Sequence, residues 1–315
     1  MPDRSSLERL AAAAVRAPSS HNTQPWIFEA DGDRLRLLAD RTRALPVNDP
    51  EDRELTVSCG CALFNLRAAA AAEGLGTRLT VLPEDDDPDL LAILSFEGAP
   101  EAALADLAAA IGTRRTFRKA FAERPVPDET RAALAAAAEA EGAWFDVVGE
   151  EERRDALATL VEEGDATQWD DPRWRRELAA WMHPRRQGDG LSLPGVAVPL
   201  ARFAVRRIDL GGRVGAHDGE LARTAPLLAV LGTTGDEEAD WLAAGQALER
   251  VLLAAAMAGL QASYLNQPVQ VAELRTRLAA LCRPGGAPQT VLRLGYPTSD
   301  APEAPRRPLP EVFAG

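Results

Sequence analysis

The chain carries two similar alanine-rich segments, each bounded by glycines fourteen residues apart. Segment 60–75, GCALFNLRAAAAAEGL, aligns without a gap to segment 245–260, GQALERVLLAAAMAGL, with eight identities in sixteen positions. Each pattern predicts a helix whose small residues can approach a partner closely. Alanine-rich composition alone produces some such matches, but glycines paired at both ends are harder to obtain by chance. The repeat therefore predicts a fold with two related halves.

The surroundings of the two segments also correspond. A strand-like run follows each segment, LLAILSF at 90–96 and TVLRLGYP at 290–297. A helix-then-strand unit opens each half, at 5–30 and at 128–148. This correspondence supports two related halves, each of which combines helices with strands.

The predicted N-terminal half covers 1–105, and the predicted C-terminal half covers 106–315. The C-terminal half contains a segment at about 166–223 without a counterpart in the first half. We expect this segment to form a helix followed by an irregular excursion. It holds three tryptophans, Trp169, Trp174 and Trp181, and the loop PRRQGDGLSLPG. Two interpretations stay open, a packed surface insertion and a lid over a ligand site.

Local signals place the elements of the first half. Ser5 and Glu8 fit a capping box at the start of the first helix. Residues 26–30 and 34–39 are predicted strands joined by a tight Asp-Gly-Asp hairpin. A long helix is expected from about Glu54 to Glu73, ended by a glycine.

Two polar motifs each occur in only one half. The loop APSSHNTQPW (17–26) has no counterpart in the second half, and RRTFRKAF (114–121) has none in the first. The loop offers hydroxyls and amides that suit a heterocycle, but such loops also satisfy their own backbone. In the second motif, an extended chain would place Arg114, Thr116 and Arg118 on one side, opposite Arg115 and Phe117. This motif fits either an anionic ligand or a solvated basic stretch.

Composition limits the classes of partner. The net charge of −13 argues against nucleic acid and anionic membrane surfaces, so a small-molecule partner is favoured. No apolar run long enough for a membrane helix and no signal-like start is recognised, which predicts a cytosolic protein. The three cysteines fit neither disulfide nor zinc spacing, and we expect buried thiols and no metal site. Because hydrolase and Rossmann motifs are also missing, a cofactor would have to supply any chemistry.

The strings APSSxNxQPW, RRTxR, the glycine-bounded helix and the closing LGYP together resemble the FMN-dependent nitroreductase superfamily. The most similar branch is the Acg-like group, in which two nitroreductase-like halves are fused. The resemblance implies an α+β fold in which the two related halves form an internal pseudo-dimer, with mixed or antiparallel sheets and flanking helices. In ordinary members of the superfamily, an intertwined homodimer holds two FMN sites at its interface. The resemblance therefore implies one FMN site, built from the loop of the first half and the arginines of the second.

The resemblance implies FMN contacts by three groups of residues. The loop would pack on and hydrogen-bond the flavin, the arginine segment and the C-terminal tail would hold the phosphate and the N1/O2 edge, and backbone N–H groups near 264–267 would face N5 and O4. The implied residues are Pro18, Ser19, Ser20, Asn22, Arg114, Thr116, Arg118, Leu265, Asn266, Gln267, Arg306 and Arg307. No catalytic side chain is required.

Three functions remain open from the sequence. The first is an oxidoreductase that passes hydride from NAD(P)H through FMN to a nitro compound, a quinone or another electrophile. The second is a non-enzymatic FMN-binding or FMN-sequestering protein whose lid is closed over the flavin. The third is an interaction module without a cofactor. A functional monomer is expected from the duplication, and a homodimer stays open.

Overall fold

A computed structural model of the protein describes residues 2–83, 86–184, 188–207 and 211–314. The helices are α1 (Arg4–Ala14), α2 (Arg53–Ala72), α3 (Ala102–Ile111), α4 (Asp128–Glu139), α5 (Glu151–Asp170), α6 (Pro172–Ala180), α7 (Val198–Arg207), α8 (Gly211–Arg223), α9 (Glu238–Met257), α10 (Gln267–Gln270) and α11 (Ala272–Leu281). The strands are β1 (Trp26–Asp31), β2 (Arg34–Ala39), β3 (Thr77–Val81), β4 (Leu90–Phe96), β5 (Trp144–Val147), β6 (Met182–Pro184), β7 (Leu191–Leu193), β8 (Leu227–Thr233), β9 (Gln261–Tyr264), β10 (Ala287–Gly295) and β11 (Phe313–Ala314).

The two main sheets have the same strand order. The first sheet runs β11-β1-β2-β4-β3 and the second runs β5-β8-β10-β9, so β1, β2, β3 and β4 correspond to β5, β8, β9 and β10. These equivalent strands pair antiparallel in both sheets. In each case a helix precedes the first strand, and a long helix joins the second strand to the third. The chain is therefore α+β and repeats one topology.

The long helices of the repeat, α2 and α9, pack against each other at their glycines. A methyl group on Gly245 would lie 2.1 Å from the carbonyl oxygen of Val57, and one on Gly60 would lie 2.3 Å from that of Leu242. Glycine therefore permits the two backbones to touch. The residues around this crossing form the main apolar core together with the inner faces of both sheets.

The strand predictions for 26–30, 34–39 and 90–96 are confirmed, and α2 matches its predicted bounds to within one residue. The predicted capping box of Ser5 and Glu8 is wrong, because α1 begins at Arg4. Its N-cap is Asp3, whose carboxylate accepts from the N–H of Ser6. The three cysteines are buried free thiols.

The inserted segment, which distinguishes the second half from the first, is longer and more regular than predicted. It connects β5 to β8 and runs from α5 through α8, where the first half has only the Asp31–Gly32–Asp33 turn. The prediction of an irregular excursion is wrong, because helices α6 and α7 and the small parallel β6–β7 sheet fill most of this segment. Residues 185–187 of the predicted loop lie outside the described residues.

Two further features concern the linkage of the halves. The predicted division after residue 105 falls inside α3, which contacts both α2 and α9. The C-terminal strand β11 crosses to the first sheet and pairs in parallel with β1, from Phe28 to Phe313. Among the described helices, α2 alone has the length and apolarity of a membrane span, and 83% of that window is buried inside the protein, as in a core helix.

Candidate functional site

One cavity of about 460 Å³ lies between the two halves and the inserted helices. Its wall combines the 16–22 loop, one face of α2, the 111–118 segment, the β9–α10 turn and the tail around 302–306. Helices α5, α6 and α8 of the insertion complete the wall. The volume is within the range of small-molecule sites, and the lining mixes apolar with polar groups as such sites do.

The cavity brings together nearly all of the residues that the sequence predicted. Those that line it are Pro18, Ser19, Ser20, Asn22, Arg114, Thr116, Arg118, Leu265, Asn266, Gln267 and Arg306. They come from four stretches of chain that are far apart in sequence. Arg307 is the one predicted residue that does not line the cavity.

Arg307 instead ties the tail to the first half. Its N–H donates to Oε1 of Gln24 at 2.9 Å, and its guanidinium contacts the carboxylate of Asp40 at 3.2 Å. Because the peptide chain turns neighbouring side chains in different directions, only Arg306 faces the cavity. The predicted ligand role of Arg307 is therefore replaced by a structural one.

The loop that opens the site holds an unusual backbone. His21, Asn22 and Gln24 have φ values of 49°, 56° and 53°, in the left-handed region that non-glycine residues rarely adopt. Such conformations cost roughly 1 kcal/mol or more each and concentrate at functional sites. The hydroxyl of Ser19 stabilises the loop by accepting from the N–H of Gln24 at 3.0 Å.

Several polar side chains of the loop are already bonded within the protein. Ser20 Oγ donates to Glu54 at 2.7 Å, and Asn22 Oδ1 accepts from Arg306 at 3.2 Å. Glu54 also accepts from Gln270 at 3.0 Å. These bonds fix the rim of the cavity and join the loop to α2 and to the C-terminal tail.

His21 lines the cavity and its Nδ1 has no hydrogen-bond partner among the described residues. Burial lowers the pKa of His21 to about 4; the charge of Arg118 adds to this effect and that of Glu54 opposes it. The imidazole is consequently neutral at physiological pH.

One end of the cavity is strongly cationic. Six arginines line the cavity. Arg293 is on β10, and the other five belong to the loop, the 111–118 segment and the tail, namely Arg16, Arg114, Arg115, Arg118 and Arg306. Arg115 was expected to point away, but the segment is irregular, with a single bridge from Thr116 to Ala262, so strand alternation does not hold. Phe117 does not line the cavity; it is buried, and its ring centroid lies 5.3 Å from that of Phe121.

These arginines are only partly neutralised. Glu303 pairs with Arg16 at 2.6 Å and with Arg115 at 3.6 Å. Arg118 has no carboxylate within 4 Å in the described part of the chain, and Arg306 contacts carbonyl and amide oxygens only. Burial and the charges of Arg114 and Arg16 lower the pKa of Arg306 to about 9. An anion bound here would relieve that repulsion.

The turn after β9 agrees only in part with expectation. The N–H of Leu265 donates to the carbonyl oxygen of Val291 at 3.0 Å, so it cannot serve a ligand and that expectation is wrong. The N–H groups of Asn266 and Gln267 have no acceptor among the described residues. The Asn266 side chain binds the backbone N–H of Val291 at 3.0 Å and thereby holds the turn in place.

The inserted helices cover the cavity. Trp169 and Trp174 line it, are buried and stack edge to face at 5.7 Å. Trp174 Nε1 donates to Asn48 at 2.9 Å, which fastens α6 to the first half. The loop after β6 is fastened as well, because the Gln24 amide donates to the carbonyl oxygen of Gly188 at 2.8 Å. The segment is packed down by its tryptophans, as the surface-insertion interpretation expects, and it covers the cavity, as the lid interpretation expects.

Sequence reasoning missed several lining residues. Arg16 directly precedes the APSS motif, and its position next to that motif was the available signal. Asp165, Asp218 and Arg293 carry no local motif, and only the packing of α5, α8 and β10 brings them to the cavity.

Comparison with known proteins gives a family. The chain is 33% identical over 324 residues to "Putative NAD(P)H nitroreductase Rv3131" of Mycobacterium tuberculosis, covering 99% of this chain and 92% of that protein. It is 32% identical over 318 residues to "Putative NAD(P)H nitroreductase acg" of the same organism, covering 95% and 92%. The chain belongs to the nitroreductase family, in the group that includes these Acg-related proteins.

A solved structure with partial overlap is the FMN-dependent nitroreductase NfnB from Mycobacterium smegmatis in complex with NADPH. It is 22% identical, covers 66% of this chain and 97% of that chain, and superposes with a TM-score of 0.42. No family model matches the sequence.

Proposed function

We propose that the protein is an FMN-dependent oxidoreductase that transfers hydride from NAD(P)H to a small electrophile in the cytosol. The observation that carries this proposal is the cationic end of the cavity. There, two arginines that meet no carboxylate among the described residues, Arg118 and Arg306, lie beside the loop of the first half. The names of the relatives, NAD(P)H nitroreductases, support the same class of reaction.

The residues of the cavity fit FMN. A phosphate dianion matches the excess of guanidinium groups: Arg118 and Arg306 have no carboxylate partner in the described part of the chain, and Arg114 pairs with the buried Glu249 at 3.4 Å. A flat ring system would find apolar walls in Val57, Ile111 and Leu248, and backbone donors at Asn266 and Gln267 that have no acceptor among the described residues. The flavin, when bound, supplies the redox chemistry, and the chain binds it, orients it and excludes water. Cationic groups near the ring would favour its reduced, negatively charged form.

The second substrates follow from this chemistry. NAD(P)H is the hydride donor, and a nitro compound or quinone is the class of acceptor that the family relation favours. Because the residues for one site come from both halves of one chain, a monomer holds a complete site, with one flavin per chain.

A second candidate function is supported by the fastening of the cover. Trp174 and Gln24 hold the inserted segment against the first half by hydrogen bonds of 2.9 and 2.8 Å. If this cover stays closed over the flavin, NAD(P)H has no access, and the protein would store or sequester FMN.

Anaerobic mixing of the yellow holoprotein with NADPH separates the two functions. The oxidoreductase is expected to lose its flavin absorbance within minutes and to regain it when a quinone is added. A flavin that dithionite reduces but NADPH and NADH do not would favour sequestration. Purified protein that binds no FMN would refute both and leave the interaction module.

A further inference from the structure

Two carboxylates face the cavity from the inserted helices. Asp165 on α5 and Asp218 on α8 both line it, and Asp165 is only 3% exposed. The Gln267 amide donates to both, at 3.1 Å to Asp165 and 3.0 Å to Asp218. A methyl group on Gly164 would lie 2.6 Å from Cβ of Gln267, so α5 packs directly against the base of this side chain.

A buried cation lines the cavity together with the two carboxylates. Arg293 on β10 is 2% exposed, and its Nε has no hydrogen-bond partner in the described residues. Its other nitrogens donate to the carbonyl oxygens of Lys119 at 2.8 Å and Phe117 at 3.4 Å. The guanidinium also lies over the ring of Phe121 at 5.0 Å. Burying a donor without an acceptor is costly, and Arg293 lines the cavity, so its Nε–H can donate to a ligand oxygen there.

The charges around the pair favour retention of a proton. Burial, followed by the charge of Asp218, raises the pKa of Asp165 to about 7, and the Gln267 hydrogen bond opposes this. Burial also raises the pKa of Asp218, against Gln267 and the charges of His217 and Arg293. Two carboxyl groups that accept from the same amide nitrogen lie close together, and their charges would repel if both were ionised.

We propose that the Asp165–Asp218 pair donates the proton that completes reduction of the electron acceptor, and that Arg293 binds the acceptor's oxygen. The assignment rests on the proposed function. Hydride transfer to a quinone delivers two electrons and one hydrogen and leaves an oxyanion, which the Arg293 N–H stabilises. The acid O–H bond then breaks, an O–H bond forms on the acceptor, and the carboxylate regains a proton from water. NAD(P)H is oxidised and the quinone is reduced.

The test compares an acceptor that requires protons with one that does not. With NADPH as donor, Asp165→Asn should lower kcat for p-benzoquinone about 10²-fold, the lower range of general acid catalysis. Ferricyanide takes up electrons without a proton, so its rate should change by less than about twofold. Asp170→Asn is the matched control, because Asp170 is an exposed residue on the same helix and does not line the cavity.

A second readout does not depend on turnover. Burial also raises the pKa of Glu249 to about 7, so the Asp165 band is isolated by difference. At pH 6, the wild-type minus Asp165→Asn infrared spectrum of the holoprotein should contain the carbonyl stretch of a buried carboxylic acid. Asp218→Asn removes a neighbouring charge, so the band should titrate at lower pH.

Equal losses with both acceptors, or an infrared spectrum that Asp165→Asn leaves unchanged, would overturn the proton-donor assignment while the proposed function stands. A protein that binds FMN but is not reduced by NADPH or NADH would overturn the proposed function and this assignment with it.

Discussion

The crossing of α2 and α9 makes a sharp prediction for Gly245→Ala. The new methyl group would lie 2.1 Å from the carbonyl oxygen of Val57 and 2.8 Å from Cα of Gly60, where ordinary contact begins at 3.4 Å. Both neighbours are backbone atoms, so no side chain can turn aside and the helices must separate by about 1 Å. Overpacking of this severity costs about 3 kcal/mol. Alanine stabilises a helix interior by about 1 kcal/mol relative to glycine, which leaves a net destabilisation of about 2 kcal/mol.

Urea unfolding followed by circular dichroism measures this change, and a thermal scan should show a midpoint lower by about 4 °C. The matched control is Gly112→Ala at the end of α3, where φ is −72° and a methyl group meets nothing within 4 Å. The control should equal or exceed wild-type stability by up to about 1 kcal/mol. If Gly245→Ala unfolds within 0.5 kcal/mol of the wild type, the close helix contact is not what the repeated glycines provide.

Three further predictions follow from the site. Replacing both Arg114 and Arg118 by alanine should weaken FMN binding at least about 10²-fold in a fluorescence titration, since each charge-assisted contact contributes about 1.5 kcal/mol or more; exposed Arg78→Ala should leave it unchanged, and tight binding by the double variant would disprove the phosphate role. Light scattering should show a monomer, and flavin absorbance should show one FMN per chain. A second chain required for flavin binding would contradict the composite site. The folded protein holds the Asp165 proton up to about pH 7, whereas the unfolded chain releases it near pH 3.8. The free energy of unfolding should therefore fall as pH rises between these values, by up to about 1.4 kcal/mol per pH unit. A decline equally steep in Asp165→Asn would refute the raised pKa.

Much of the fold could be predicted because its signals are local. The periodicity of α2 and the alternation of β1 and β2 are present in short windows of sequence, and the first glycine of each repeat, Gly60 and Gly245, marks the crossing of α2 and α9. The start of α1 was misjudged by two residues because Asp3 and Ser5 are both good N-caps and only backbone geometry selects between them.

The site was predictable only where a motif carried it. The polar loop and the arginine segment are recognisable strings, whereas Asp165, Asp218 and Arg293 reach the cavity through the packing of three elements separated by up to 128 residues. The different fates of Arg306 and Arg307 depend on how the tail turns as it crosses to the first sheet, which adjacent residues of the same type cannot reveal.

The single insertion between β5 and β8 has an evolutionary consequence. In an assembly of two identical chains, a mutation enters both sites at once, so each change must be tolerated twice. Here the equivalent connection between β1 and β2 is a tight turn, whereas the connection between β5 and β8 holds four helices. Because both copies lie in one chain, a mutation enters one copy at a time, so one copy can carry a cover while the other keeps a minimal scaffold.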